Sequence, residues 1–115
     1  MIFSTGLSKK LVLPAVASIA LALGPSLFGQ AETGEAIYKR NCAGCHGADG
    51  SGQTAMGRTF KLVDLRSAEP QKMTDAQLAE IVTKGKNHMP AYDKKLSHEQ
   101  IQSVVGYLRE LAKKK

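Results

Sequence analysis

Cys42-Ala43-Gly44-Cys45-His46 is the stretch on which the interpretation of the whole chain depends. Residues three and four positions apart lie on one face of a helical turn, so Cys42, Cys45 and His46 can point the same way. Two thiols in this spacing, followed at once by a histidine, are typical of covalent attachment of a c-type haem. Each thiol can add to one haem vinyl group, and the imidazole can bind the iron through Nε2. The motif is short enough to occur by chance, so the rest of the chain has to support it.

The first 31 residues have the organisation of a secretory signal peptide. Lys9-Lys10 precedes an uncharged run whose apolar part is Leu11–Leu23, and small residues follow at Gly29–Ala31. We predict cleavage after residue 31, export to the periplasm and a single domain over residues 32–115. An uncleaved membrane anchor is the alternative, but a membrane-spanning helix needs about 20 apolar residues and this run is shorter.

The composition of the predicted mature domain fits a small protein that needs a bound group in its core. Two of the 16 basic residues and none of the 10 acidic residues lie in the leader, so the mature net charge is 14 − 10 = +4. The lysines are dispersed among few aromatic residues, which gives no indication of a nucleic-acid partner. A domain of this size buries a modest core. A disulfide between two cysteines so close in sequence would close almost no loop, whereas a covalent haem would supply a large apolar group.

The chain predicts an all-α fold with about three main helices and glycine-rich connections. Thr33 is a plausible cap for a first helix that runs to about Cys45. Thr74 and Ser97 each begin a capping box, with a glutamine three residues later. Gly85 is the expected end of the second helix. The third helix carries an apolar stripe of Ile101, Val104, Val105, Leu108, Leu111 and Ala112.

Two segments between the helices are expected to serve the cofactor. The loop Gly47–Gly52 is rich in glycine, which predicts unusual backbone geometry. Its Asp49 and Ser51 lack the other ligands of a calcium loop, so calcium is excluded. The apolar patch that follows is expected to line the haem pocket and consists of Phe60, Leu62, Val63 and Leu65.

A second axial ligand for the iron is sought among Met56, Met73, His88, Met89 and His98. Met89 is favoured because the following Pro90 restricts it to an extended backbone and removes a competing donor. Met56 lies too near His46 in sequence to reach the opposite face of the haem easily. Met73 precedes a helix cap and is expected to pack in the core, while His98 belongs to an exposed first turn. His88 remains the rival ligand.

In combination, these stretches resemble the class I c-type cytochromes, particularly the small bacterial monohaem proteins. The matching segments are the pentapeptide, Gly47–Gly52, Lys86–Pro90 and Val105–Arg109. The resemblance implies a class I cytochrome c fold around one haem c, covalently bound through Cys42 and Cys45 and ligated by His46 and Met89. It also implies a crossing of the first and last helices that brings Gly34 and Tyr38 against Tyr107.

The chain departs from the family pattern in one respect. Many members have a proline after the haem motif whose carbonyl accepts the Nδ1–H of the ligating histidine. No proline occurs between His46 and Glu69. Another acceptor is still expected, because such a bond orients the imidazole and raises its basicity.

With both axial positions filled, the iron is expected to exchange one electron rather than to act on a substrate. The chain is therefore interpreted as an electron carrier and not an enzyme, monomeric, with redox proteins as donors and acceptors. Thioether ligation favours the reduced state. The alternative is an electron-transfer subunit of a larger membrane or periplasmic oxidoreductase, and membrane contact is expected only through such complexes or an uncleaved leader.

Basic residues supply candidate contacts for partners and for the haem propionates. Four lysines flank Met89 and are expected to steer acidic partner surfaces: Lys84, Lys86, Lys94 and Lys95. A merely solubilising role explains these lysines equally well. Three further cations are candidate partners of the propionates: Arg58, Lys61 and Arg66.

Three other interpretations of the motif fit less well. A dithiol oxidoreductase would place Cys-x-x-Cys in a βαβ unit, whereas this chain predicts helices. A structural zinc site would need a fourth ligand and a second close pair. A gas-sensing or peroxidatic haem would leave the iron open, which Met89 argues against.

Overall fold

The computed structural model of the chain describes residues 6, 10–20, 24 and 29–115. The regular structure of this part of the chain is helical: α1 (Gly34–Asn41), α2 (Ala43–His46), α3 (Ala55–Thr59), α4 (Ala68–Gln71), α5 (Asp75–Lys84) and α6 (His98–Lys113). The prediction of an all-α fold with three main helices is confirmed, since α1, α5 and α6 are the longest of these helices.

The first and last helices cross at Gly34, as the family resemblance implies. A Cβ atom added to Gly34 would lie 2.6 Å from the carbonyl carbon of Ser103 and 3.2 Å from Cβ of Tyr107. Beside this point the rings of Tyr38 and Tyr107 pack with their centroids 5.3 Å apart. The absence of a side chain at Gly34 therefore permits the close approach of α1 and α6.

The core lies between α1, α5 and α6. Its most deeply buried large side chains come from α1 and α6, namely Ile37, Tyr38, Val104 and Val105. Helix α5 adds Leu78 and Val82 to the same cluster. Met89 is partly buried against the cluster, so the packed core extends to the predicted ligand.

Both predicted capping boxes are present. The Thr74 hydroxyl accepts from the N–H of Gln77, and the Gln77 side chain accepts from the N–H of Thr74. Ser97 and Gln100 repeat the arrangement at the start of α6. Gly85 ends α5 with a φ of 75°, a backbone conformation that glycine adopts without steric cost.

Arg109 ties α6 to the segment that precedes α5. Its guanidinium donates to the carbonyl oxygens of Gln71 and Met73 and to the Asp75 carboxylate. The Gln71 side chain also donates to the carbonyl oxygens of Leu65 and Leu108. These bonds hold the chain between α3 and α5 against the middle of the last helix.

The first helix is not continuous to Cys45, so that part of the prediction is wrong. Thr33 caps α1 as expected, but the backbone at Cys42 has a φ of −117° and separates α1 from α2. The Asn41 carbonyl accepts the Tyr92 hydroxyl at 2.9 Å. The N–H of Cys45 bonds instead to the carbonyl of Cys42 at 3.2 Å. A tyrosine 51 positions later thus engages a helical acceptor and interrupts the helix at the motif.

The loop Gly47–Gly52 has the predicted unusual geometry. Positive φ values occur at Gly47, Gly50 and Gly52. The Asp49 carboxylate accepts from the N–H of Ser51 at 3.0 Å, so it serves the turn itself. This loop leads the chain from the motif to α3.

The predicted leader is only partly among the described residues. Lys9 and parts of the apolar run lie outside them, and within 10–20 the side chains are exposed. None of the helices in the described ranges is long and apolar enough to cross a membrane. Cleavage after Ala31 stays a prediction.

Candidate haem site

The cysteine–histidine motif forms one wall of a cavity of about 860 Å³. This volume is within the range of roughly 300–1,000 Å³ that is usual for cofactor sites. Cys42 and His46 are partly buried and Cys45 is exposed. All three side chains contribute to the lining, so the structure brings the predicted attachment and ligand residues together.

Four hydrogen bonds from other parts of the chain hold the backbone of the motif and of its two flanking residues. Tyr92 donates to the Asn41 carbonyl, and Tyr38 donates to the Gly47 carbonyl at 2.6 Å. The other two bonds reach the carbonyls of the motif itself: the Thr54 hydroxyl donates to that of Cys45, and the Gly52 N–H to that of His46. Because their carbonyls are engaged on several sides, the motif residues keep a fixed orientation toward the cavity.

The environment of the His46 imidazole favours its neutral, metal-binding form. Burial lowers the pKa of His46, which favours the neutral form that binds metals. Its Nδ1 atom is buried and has no hydrogen-bond partner among the described residues. The expected acceptor for Nδ1–H is therefore not present in this structure. The buried imidazole and the two free thiols that precede it in the motif form a donor set that fits a covalently attached haem.

Met89 lies on a different element of the same cavity. It closes a tight turn in which its N–H donates to the Lys86 carbonyl at 2.9 Å and its carbonyl accepts from the Lys86 N–H at 3.1 Å. Asn87 within the turn has a φ of 53°. A Cβ atom at Gly85 would lie 2.9 Å from the nitrogen of Ala91, so glycine allows the chain to fold back here. The turn presents Met89 beside the core.

The other candidate ligands occupy less favourable positions. His88 lines the cavity but is exposed and stacks on Phe60. Met56 also lines the cavity and is 44 % exposed, while Met73 packs against the core. His98 is exposed at the start of α6, outside the cavity lining.

The rest of the lining is mainly apolar and includes the whole predicted patch. The residues that complete the wall are Phe60, Leu62, Val63, Leu65, Pro70, Leu78, Ile81, Val82, Val104 and Leu108. An apolar wall excludes water and suits the macrocycle of a haem. The prediction that Phe60, Leu62, Val63 and Leu65 line the cofactor pocket is confirmed.

The cysteines do not have the properties of a redox dithiol or of a zinc site. Burial and the neighbouring Cys45 raise the pKa of Cys42 to about 11, so its thiol stays protonated at neutral pH, whereas catalytic thiols have lowered pKa values. Across residues 29–115 and the other described positions, no group of three or more His, Cys, Asp or Glu side chains is arranged to hold a metal ion.

The predicted basic residues are placed unequally around the cavity. Lys86 and Lys61 are exposed and line it. Lys84 instead forms an ion pair with Glu80 at 2.7 Å, and Lys95 lies over the ring of Tyr92. Lys94 and Arg58 are exposed and lie outside the lining, as does Arg66, which is bound by Asp64.

Sequence reasoning missed the groups that support the motif from a distance. Tyr92 and Thr54 have no local pattern that marks them as donors to the motif, because their acceptors are 51 and 9 positions away. The density of glycines after the motif, which includes Gly57, predicted a loop, whereas Gly57 lies in α3. A Cβ atom there would lie 3.0 Å from the Cys45 carbonyl oxygen, so the glycine allows α3 to approach the motif.

Comparison with known proteins shows the family to which the chain belongs. The family model described as cytochrome c oxidase, cbb3-type, subunit III matches residues 29–108. Cytochrome c6 of Leptolyngbya boryana is 40% identical over 84 residues, which cover 73% of this chain and 95% of that protein. The cbb3-type cytochrome c oxidase subunit CcoP of an Azospirillum species is 35% identical over 91 residues, covering 72% of this chain but 29% of that subunit.

A solved c-type cytochrome has the same fold. It is 28% identical to this chain, with a TM-score of 0.65, and the match covers 70% of this chain and 98% of that one. The match at the level of family, sequence relatives and structure agrees with the cavity and its donor set. The chain belongs to the class I c-type cytochromes, and it is a one-electron carrier that binds haem c covalently.

Proposed function

We propose that Cys42 and Cys45 attach the haem and that His46 and Met89 are the axial ligands of its iron. The observation that carries the proposal is the position of all four side chains on the lining of one cavity. His46 and Met89 come from elements more than 40 positions apart in sequence, so their meeting is a property of the fold. The bound haem supplies the Fe(III)/Fe(II) couple.

The residues of the chain favour electron transfer over substrate chemistry. The Met89 turn is closed by two backbone hydrogen bonds, which fix the shape of the backbone that carries the thioether. With two protein ligands, no coordination position remains for a substrate, so we propose that the protein is not an enzyme. The apolar walls and the thioether both favour the reduced state.

The proposal includes the site of action. The pattern of residues 1–31 supports export by a cleaved leader and work in the periplasm as a monomer. The alignment with cytochrome c6 of Leptolyngbya boryana covers 95% of that protein, and this likeness supports a freely diffusing carrier.

We propose that partner recognition depends on the cationic rim of the cavity, which consists of the exposed lysines Lys61 and Lys86. Lys86 lies on that rim and forms no ion pair among the described residues, whereas Lys84 is paired with Glu80. We expect Lys86→Glu to lower the electron-transfer rate with an acidic partner protein at low salt and to flatten its salt dependence. Lys84→Glu is the matched control and should have a smaller effect. If both variants transfer electrons at the wild-type rate at every salt concentration, steering by this rim is refuted.

A redox titration of the purified holoprotein tests the proposed function. We expect a reversible one-electron transition, and haem that stays with the polypeptide after denaturation and extraction with acidified organic solvent. The Cys42→Ala, Cys45→Ala double variant should release its haem under the same treatment. Extractable haem in the wild-type protein would contradict covalent attachment, and a multi-electron or irreversible titration would contradict a simple carrier.

A second candidate function is a haem-bearing subunit of a larger membrane or periplasmic oxidoreductase. The match to the cbb3-type subunit III model and to part of CcoP favours it. Mild solubilisation of membranes from the native cells separates the two functions. A free carrier is expected in the soluble fraction at its monomeric mass, whereas copurification with an integral membrane enzyme would favour the subunit.

A further inference from the structure

The ring of Phe60 and the imidazole of His88 stack on each other at the cavity. Their centroids are 4.2 Å apart and their planes are inclined by 19°. Both residues line the cavity. The ligand assignment does not use this pair, since the motif and Met89 account for both axial positions.

Phe60 is fixed to the side of the cavity that carries His46. It follows the last residue of α3 and donates its N–H to the Met56 carbonyl. Helix α3 is held against the motif, because the hydroxyl of its cap, Thr54, donates to the Cys45 carbonyl at 2.6 Å. The backbone of Phe60 is therefore held close to the haem attachment segment.

His88 belongs to the other side of the cavity, next to Met89. The two hydrogen bonds between Lys86 and Met89 fix the shape of the turn. They are internal to the turn, however, and do not fix its position relative to α3. The stack of His88 on Phe60 makes a direct contact between the turn and the opposite rim.

We infer that the Phe60–His88 stack is a latch that positions Met89 over the cavity. This inference rests on the proposed ligation by Met89. His88 acts here as a positioning residue, because it would hold a neighbouring ligand rather than touch the iron. The usual strength of an aromatic pair corresponds to about a 2- to 12-fold change in the ratio of closed to open turn. An open turn removes the Met89 thioether and lets an added ligand take its place.

Imidazole binding to the oxidised holoprotein tests the latch. The loss of the weak far-red band of methionine-ligated Fe(III) reports displacement of Met89. We expect His88→Ala to bind imidazole about 2- to 12-fold more tightly than the wild-type protein. His88→Phe restores a stacking ring and should return the affinity to the wild-type value. His98→Ala removes an exposed histidine outside the cavity and should change nothing.

The latch also predicts coupling between its two members. In a Phe60→Ala background, His88→Ala should add little to the imidazole affinity, because the stack is already lost. Equal affinities in wild-type protein and His88→Ala would overturn the latch, as would a His88→Phe variant that binds as tightly as His88→Ala. A wild-type spectrum without the far-red band would overturn Met89 ligation and the latch together. A wild-type spectrum that has the band, with equal imidazole affinities in the variants, would overturn the latch alone, so the two failures are distinguishable.

Discussion

Substitution of Gly34 by alanine probes the helix crossing that builds the haem cavity. The added Cβ atom would lie 2.6 Å from the carbonyl carbon of Ser103. Carbon atoms pack best at about 3.5–4.0 Å, so α1 and α6 would have to separate by roughly 1 Å. The clash is with backbone, which no rotamer change can relieve. Overpacking of this kind costs about 1–3 kcal/mol, and we expect Gly34→Ala to lower the free energy of unfolding by about 2 kcal/mol.

Gly106 provides a matched control on the same helix. It lies inside α6, and a Cβ atom there would meet nothing within 4 Å. Alanine is favoured over glycine in a helix interior by about 1 kcal/mol. Gly106→Ala should therefore raise the free energy of unfolding by about 0.5–1 kcal/mol.

Guanidinium unfolding of the two holoprotein variants measures both effects. The midpoint should fall for Gly34→Ala and rise for Gly106→Ala, with the slope of the free energy against denaturant unchanged. An unchanged or higher midpoint for Gly34→Ala would refute the close crossing. A higher midpoint in both variants would show that intrinsic helix propensity, rather than packing, governs these positions.

Further substitutions test the supports of the motif and of the last helix. Tyr38→Phe should lower the free energy of unfolding by about 1 kcal/mol at neutral pH, because the Gly47 carbonyl loses one of its two donors and keeps only the Gly50 N–H. Burial raises the pKa of Tyr38 in the folded protein, so the free energy of unfolding of the wild-type protein should fall as the pH rises above about 10, the pKa of tyrosine in the unfolded chain. Unfolding curves between about pH 9 and 11 should show a shallower decline for Tyr38→Phe. An identical decline in the two proteins would contradict the burial of that hydroxyl. Arg109→Ala should lower the free energy of unfolding, measured with denaturant, by about 2 kcal/mol, since its charge-assisted bonds are lost. Lys84→Ala breaks an exposed ion pair and should lower it by less than about 0.5 kcal/mol. Equal losses in the two variants would contradict the role given to Arg109.

Local patterns were sufficient for the elements whose signals are contained in neighbouring residues. The capping boxes at Thr74 and Ser97 predicted the starts of α5 and α6, and Gly85 predicted the end of α5. The crossing at Gly34 was predicted from family resemblance, because a glycine near a helix start has several uses and only the partner helix decides among them.

The break at Cys42 could not be predicted in this way. At the break the Tyr92 hydroxyl binds the Asn41 carbonyl, and no spacing rule connects residues so far apart. The stack of His88 on Phe60 has the same character. Long-range contacts thus set the geometry of the cavity, while the residues proposed to supply its chemistry stand in two local patterns, Cys42–His46 and Met89-Pro90.

The absorption spectrum of the oxidised holoprotein tests the central claim, ligation by His46 and Met89, most directly. The wild-type protein should show the weak far-red band of methionine-ligated Fe(III). Met89→Ala should abolish that band, whereas Met73→Leu, which changes a packed methionine lining the same cavity, should retain it. A band that survives in Met89→Ala, or a wild-type protein without one, would contradict the account.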